Sequence, residues 1–358
     1  MIVNQIIVVI LIIFLVIGVL DKIFKLNRGY GDAFDEGFHA MGPLALVMIG
    51  MIMASPVIAD LVTPLASPLF SSIGADPAMI SGMLLAVDMG GYSIAMEMAA
   101  TEEAAKFSGI ILATMLGPTF VFTVPVALGL IREQDYPVLA KGILAGLIAV
   151  PPGAFTAGLI AGFAPGFLFV QLMPVLILVI VTGAGLFLLP KGMIRFFLIA
   201  GKGILAFTLI MIVLVAVQEL LGIPLLSGFL PFSEAMEIIG LIVLALGGAF
   251  PFVHFLKRHV IPAVTRWTSI EDDMAVTGFV SSLAHSIPMY RNLHLMTERG
   301  KLMNVAFSVS GAFVLGGHLG FTAALEPDMV TAMIAGKLFS GFLAVTGVYF
   351  YVSKKIIK

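Results

Sequence analysis

Apolar residues run along this chain in blocks of about twenty, without the regular polar face of a soluble helix or the alternation of a strand. Residues 2–20 carry only Asn4 and Gln5 as polar positions. They lack the basic stretch and small-residue cleavage site of a signal peptide, and read as a first membrane span. Further blocks lie at about 40–60, 108–130, 139–162, 167–189, 194–221, 237–256, 302–324 and 329–352. Each is long enough, at 1.5 Å per residue, to cross a hydrocarbon layer of about 30 Å. The pattern predicts an all-α polytopic membrane protein with nine spans.

Two stretches depart from it. Residues 67–100 are interrupted by Asp76 and Pro77, then by Asp88, Gly90 and Gly91, and end near Glu97; residues 271–301 break around His285, Ser286 and Pro288. A half-helix of about ten residues reaches only the middle of a bilayer, so both are expected to be re-entrant hairpins. Sliding the chain on itself by roughly 195 positions sets Ala54 and Pro56 on Ala249 and Pro251, Gly82 on Gly278, and Thr101 and Glu102 on Thr297 and Glu298. Nearby offsets set Gly117, Phe122 and Thr123 on Gly316, Phe321 and Thr322, and Ala145 and Gly146 on Ala335 and Gly336. The expected organisation is a first repeat over 1–165, a linking span over 166–190 and a second repeat over 191–358. With the N-terminus outside and both hairpins re-entrant, 16 of the 19 Lys and Arg fall on the cytoplasmic side; Lys106 lies outside, and Lys202 and Lys337 lie within spans. The C-terminus is then cytoplasmic and the repeats are inverted, as in many secondary transporters.

Composition narrows the chemistry. With 60% hydrophobic and 11% charged residues among 358, a soluble fold is excluded. The absence of Cys removes disulfides, thiolate nucleophiles and Fe–S clusters, and a net charge of −2 is wrong for a nucleic-acid binder. No ATP-binding loop, zinc-protease motif or nucleophile elbow is present, and the 21 Met read as adaptable packing, so no cofactor or metal is expected.

Breaks at membrane depth are where function is expected, because irregular backbone is tolerated there only inside protein or along a watery cavity. Asp88, in VDMGGY, reads as counter-ion to a cation or proton carrier, or else as a cap on the half-helix after the glycines. His285 and Ser286, in LAHSIP, occupy the second break, as ligands or as packing residues. Two spans are interrupted at matching positions, by Gly117, Pro118, Thr119 and Thr123 and by Gly316, Gly317, His318 and Thr322. There freed carbonyls and hydroxyls serve either a ligand or the repair of a kink. Glu97 reads as lining an access path or as solvated. Asp32, Asp35, Glu36, Glu271, Asp272 and Asp273 fall in expected connections as solvated carboxylates, and Trp267 reads as an interface anchor. A carrier, a channel-like facilitator and an intramembrane enzyme built on Asp88, His285 and His318 all remain open on this reading.

DEGFHAMG at 35–42, VDMGG at 87–91, GPTFVFTVPVALG at 117–129 and GHLGFTAA at 317–324, in this order, resemble the ethanolamine utilisation permease (EutH) family, with a likeness over nearly the whole chain. The resemblance implies a protein of the bacterial inner membrane that imports ethanolamine for cytosolic breakdown by an ammonia-lyase. For a small hydroxylated ammonium, Asp88, Thr119, Thr123, His285, Ser286, His318 and Thr322 are the expected substrate-binding set. The partners expected are then ethanolamine, the lipid bilayer and, as for carriers that slide one part against another, further copies of the chain.

Overall fold

A computed structural model describes residues 2–223, 225, 227–260 and 272–356, with side chains to residue 351. Trp267 and Glu271 lie outside the described residues. Among those described, the chain is all-helical, and eight helices are long and apolar enough to cross a membrane. These are α1 (Ile2–Ile23), α2 (Tyr30–Met53), α6 (Glu102–Leu130), α7 (Glu133–Ala161), α8 (Pro165–Leu188), α9 (Pro190–Leu221), α10 (Phe232–Val260) and α15, which occupies Val330–Ile356. Between them lie α3 (Ser55–Ser71), the first hairpin with α4 (Met79–Leu84) and α5 (Tyr92–Met98), the second with α11 (Asp273–Ala284) and α12 (Ile287–Arg291), and the pair α13 (Glu298–Ser310) and α14 (Gly317–Leu325).

Three boundaries differ from expectation. The span expected at 40–60 begins at Tyr30, because Asp32, Asp35 and Glu36 belong to its first helical turns and not to a connection, although Asp32 and Glu36 are exposed there. The chain turns at Ala54 and starts a separate helix, α3, so the first hairpin begins only after Asp76. The span expected at 302–324 is α13 and α14, joined by a turn over 311–316.

Each hairpin is closed at its mouth by one carboxylate. Asp76 accepts from the backbone N–H of Ala78 and of Ala100, both at 2.9 Å. Asp272 accepts from Ala275 at 2.9 Å and from Thr297 at 2.8 Å. Asp272 is therefore a structural clasp as well as a connection residue. Each hairpin starts and ends at the same place, and both following helices are capped by threonine: Thr101 accepts from Ala104, Thr297 from Gly300.

Contacts between distant segments fix which helix ends share a face. Gly29 at the start of α2 lies against His254 near the end of α10, and Arg28 offers its carbonyl to His254 and Arg258. Lys301, at the start of α13, bridges to Asp135 at the start of α7 at 2.8 Å. At the opposite ends, Lys106 in the first turns of α6 bridges to Asp328 at 2.8 Å and Glu326 at 3.2 Å, beside Asn4 of α1, which receives Thr331 N–H. All these pairings agree if both hairpins turn back. Were the first to cross, Gly29 and His254 would lie on opposite faces; were the second to cross, Lys301 and Asp135 would.

The tightest packing surrounds α7, which presents Gly142, Gly146 and Gly153 to Val305, Val309 and Ser340 of α13 and α15. Small residues permit this close approach where lipid offers no hydrophobic drive between helices.

Candidate functional site

The first hairpin breaks between α4 and α5. Leu85 and Ala86 are extended, and Gly90 sits at φ +91°, a left-handed conformation that side-chain-bearing residues rarely adopt. This turn holds Asp88 up without caps: α5 begins behind Gly91, and no side-chain cap bonds its first N–H groups. The capping alternative is therefore not used. Among the described residues no cation lies within ion-pair distance of Asp88, and the residue is half-buried.

The second hairpin breaks at His285, which is extended at φ −158°, ψ 131°. Its Nδ1 accepts from Ile287 N–H at 3.2 Å. Both breaks rest against a broken span. A Cβ on Gly117 would stand 1.9 Å from the Leu85 carbonyl oxygen, and one on Gly316 would stand 2.2 Å from that of Ala284, so only glycine fits at either crossing. The turn after α13 also supplies N–H groups to the end of α11, Phe313 to Ser282 at 2.8 Å and Leu315 to Leu283 at 2.9 Å. It does so with Phe313 at φ +63°, a strained setting for a bulky residue.

That strain places the Phe313 ring among three others: Phe122 at 5.4 Å, His285 at 5.1 Å and His318 at 5.3 Å between centroids. The cluster and Asp88 line one cavity of about 940 Å³. Its wall continues through Pro118, Val121 and Phe122 of α6 to Glu36, His39, Lys202, His254 and Lys257. The last two stand near the end of α10 that meets Gly29 and Arg28, so the cavity runs from that face to the two breaks.

Of the expected residues, Asp88, His285 and His318 line this cavity, while Thr119, Thr123, Ser286 and Thr322 are fully buried behind it. Thr119, Ser286 and Thr322 hydroxyls and His318 Nδ1 have no hydrogen-bond partner among the described residues, as does Ser282 next to the second break. Buried polar atoms are seldom left so, and a cluster of them marks groups free for a ligand or water. Glu97 is not on the cavity. It is exposed near the first hairpin's mouth, where burial and the carboxylates of Glu234 and Asp60 raise its pKa.

Sequence reasoning missed Phe313 as a site residue, although the glycines at 311, 316 and 317 bracketed it, and used Phe122 only to align the repeat. Past the site, the cavity is closed. Tyr92, four residues after Asp88, packs edge-on against Phe321, three residues after His318, at 5.5 Å. Tyr92 also donates to Glu326 at 2.8 Å, which joins the Lys106 cluster.

The sequence matches the family model described as ethanolamine utilisation protein, EutH, over residues 3–350. It is 43% identical over 358 residues to a probable ethanolamine permease EutH of Listeria monocytogenes, covering 99% of this chain and 96% of that one. An uncharacterised protein of Bacillus subtilis is 44% identical, covering 96% and 94%. A probable ethanolamine permease EutH of Salmonella typhimurium is 38% identical with the same coverage. No solved structure matches the chain.

Proposed function

The chain belongs to the EutH family of ethanolamine utilisation proteins, and from that premise we propose that it is a carrier importing ethanolamine across the bacterial inner membrane by alternating access. The family is one of permeases, not enzymes. The observation that carries the reading is the carboxylate of Asp88, without an ion-pair partner among the described residues, sharing a cavity with the Phe122 and Phe313 rings. A carboxylate at membrane depth costs about 2.5–3.5 kcal/mol unless it meets a cation or water, and an ammonium held between carboxylate and ring faces satisfies both. The unpartnered hydroxyls and imidazole nearby suit the substrate hydroxyl.

Alternating access is supported by matched geometry at matched positions. The clasps Asp76 and Asp272, the caps Thr101 and Thr297, the crossings at Gly117 and Gly316 and the cations Lys106 and Lys301 each recur 195–199 positions apart. Lys106 stands in the first turns of α6 and Asp135 just past its last, at the start of α7, so the two ion clusters lie on opposite faces. Two units related in this way are inverted, which accords with repeats over 1–165 and 191–358 about a linking span. With the basic face cytoplasmic, the N-terminus is outside and the cavity opens inward. Glu97 then waits at the outer mouth for the opposite state. Asp88, His285 and His318 face the substrate, with Thr119, Thr123, Ser286 and Thr322 buried behind them.

Uptake of labelled ethanolamine into proteoliposomes tests this. The expected result is saturable uptake that Asp88→Asn lowers at least tenfold in a folded protein. Label is also expected to enter faster into vesicles preloaded with unlabelled substrate. Uptake linear in concentration and indifferent to preloading indicates a facilitator and overturns the carrier.

A further inference from the structure

Lys337 is 1% exposed and sits seven residues into α15, about 10 Å along its axis. Its Nζ donates to the carbonyl of Thr114. That carbonyl is free because the residue four positions on is Pro118, which has no N–H to return. The ammonium thus fastens the last helix to α6 at the break that frames the cavity. Among the described residues no carboxylate forms an ion pair with Lys337, and α14, whose His318 ring lines the cavity, packs against α15.

Among the described residues no other titratable group of the neighbouring elements pairs with it: Asp328 pairs with Lys106, Lys301 pairs with Glu298 and Asp135, and α1 carries its two, Asp21 and Lys22, in its last turn. The stretch of α7 from Gly142 to Ala161 contains none, nor do residues 107–115 of α6 or 302–310 of α13, and α14 offers only His318. The matched contact in the other half is apolar. There the position matching Lys337, by the offset that sets Gly146 on Gly336, is Leu147, apolar and fully buried. A buried cation has been placed in one copy only, beside the substrate end of the cavity.

Resting on the ethanolamine reading above, we propose that a proton on Lys337 and an ammonium in the cavity are mutually exclusive, which makes Lys337 the residue that couples transport to protons. Two positive charges in a low-dielectric core repel with no carboxylate between them and Lys337 to offset it. When ethanolammonium docks by Asp88, Lys337 passes one proton through His318 to the cavity water and becomes a neutral amine. When the substrate leaves, the amine takes a proton back and grips Thr114 again. One ammonium crosses inward for one proton outward, so the cycle moves no net charge.

The test is ethanolamine added to purified protein in weak buffer with a pH indicator, between about pH 6 and 8, where a primary alkyl ammonium stays protonated. Wild type is expected to release about one proton per ethanolamine bound, and its Kd rises up to about tenfold for each pH unit lowered. Lys337→Met, an apolar chain of similar length, is expected to bind at least as tightly, with little proton release and a flat pH profile. Lys337→Arg keeps the charge permanently and is expected to bind more weakly, also without release. In proteoliposomes a potassium–valinomycin potential should drive uptake by Lys337→Met and leave wild-type uptake unchanged.

Unaltered proton release in Lys337→Met overturns the coupling role while leaving ethanolamine as substrate. So does weaker binding in a folded Lys337→Met, since removing a competitor cannot weaken a ligand. Wild-type protein that binds no ethanolamine overturns the substrate reading, and the competition with it.

Discussion

Phe313 shows how far a single residue can be pushed by its surroundings. A phenylalanine at φ +63° is unfavourable by itself. It persists because its N–H satisfies Ser282 and its ring fills the space between Phe122, His285 and His318. Phe313→Leu keeps the backbone bond and much of the bulk but loses the π face, worth about 0.5–2 kcal/mol to a cation. The KM for ethanolamine should rise about 2- to 30-fold with thermal stability little changed; an unchanged KM would take the ring out of the site. Asp272 makes a different case, of stability. Partial burial pushes its carboxyl up, but bonds from the Thr297 hydroxyl and from the Ala275, Thr297 and Met274 backbone hold it below its ordinary 3.8. A depressed carboxylate contributes stability above its unfolded pKa and loses it as pH falls through the folded value. Asp272→Ala should therefore cost about 2 kcal/mol at neutral pH, and the gap from wild type should close below about pH 4 in thermal melts. A gap that stays constant with pH would mean the carboxylate's charge plays no part.

At the scale of elements, the sequence made the breaks visible and misjudged the helix ends. Asp88 with Gly90 and Gly91, His285 with Pro288, and the glycines at 117 and 316 stood out because polar or helix-breaking residues interrupt otherwise apolar runs. Their positions are where the structure bends. The start of α2 was illegible because Asp32, Asp35 and Glu36 read as loop, whereas they lie on one face of a helical turn, where Glu36 lines the cavity and Asp35 pairs with Lys22. Residues 55–71 were split between the span expected at 40–60 and the hairpin expected at 67–100, whereas they form one helix with Pro56 in its first turn and Pro64 and Pro68 inside it. Periodicity also cannot tell that Phe313 would take a left-handed turn, which depends on carbonyls thirty residues away. What the pairing of glycines predicts is equal treatment of the two crossings. Gly117→Ala and Gly316→Ala each force a methyl group onto a backbone oxygen, which a side chain cannot dodge. Each should cost about 1–3 kcal/mol of stability and most of the uptake. If one variant transports normally, the two breaks do not serve one mechanism.

Across the whole molecule, the open and closed ends of the cavity are built from different materials. Toward the basic face the walls are spread among Glu36 and His39 of α2, Lys202 of α9, and His254 and Lys257 of α10. Toward the other face lie two successive layers: Tyr92 edge-on to Phe321, then the ion cluster of Lys106 with Glu102, Glu326 and Asp328. The first layer is apolar and excludes water; the second is polar and partly exposed, where ion pairs contribute little to stability and can exchange for water at small cost. In the carrier proposed above both part for the site to face outward, and Tyr92 belongs to both, through its ring and its hydroxyl. It is also four residues from Asp88 on the same hairpin, so movement of the hairpin that presents the carboxylate also moves the plug. The chain has no cysteine, so Tyr92→Cys with Phe321→Cys creates its first two thiols. A short bifunctional thiol reagent that joins them should abolish ethanolamine uptake, and cleavage of the linker should restore it to the level of the untreated double variant. Each single variant treated alike should keep its rate. Substrate binding from the open side should survive the linkage, because the cavity below is untouched. Undiminished uptake in linked protein would mean that this contact never opens, and the path across the membrane would have to be sought elsewhere.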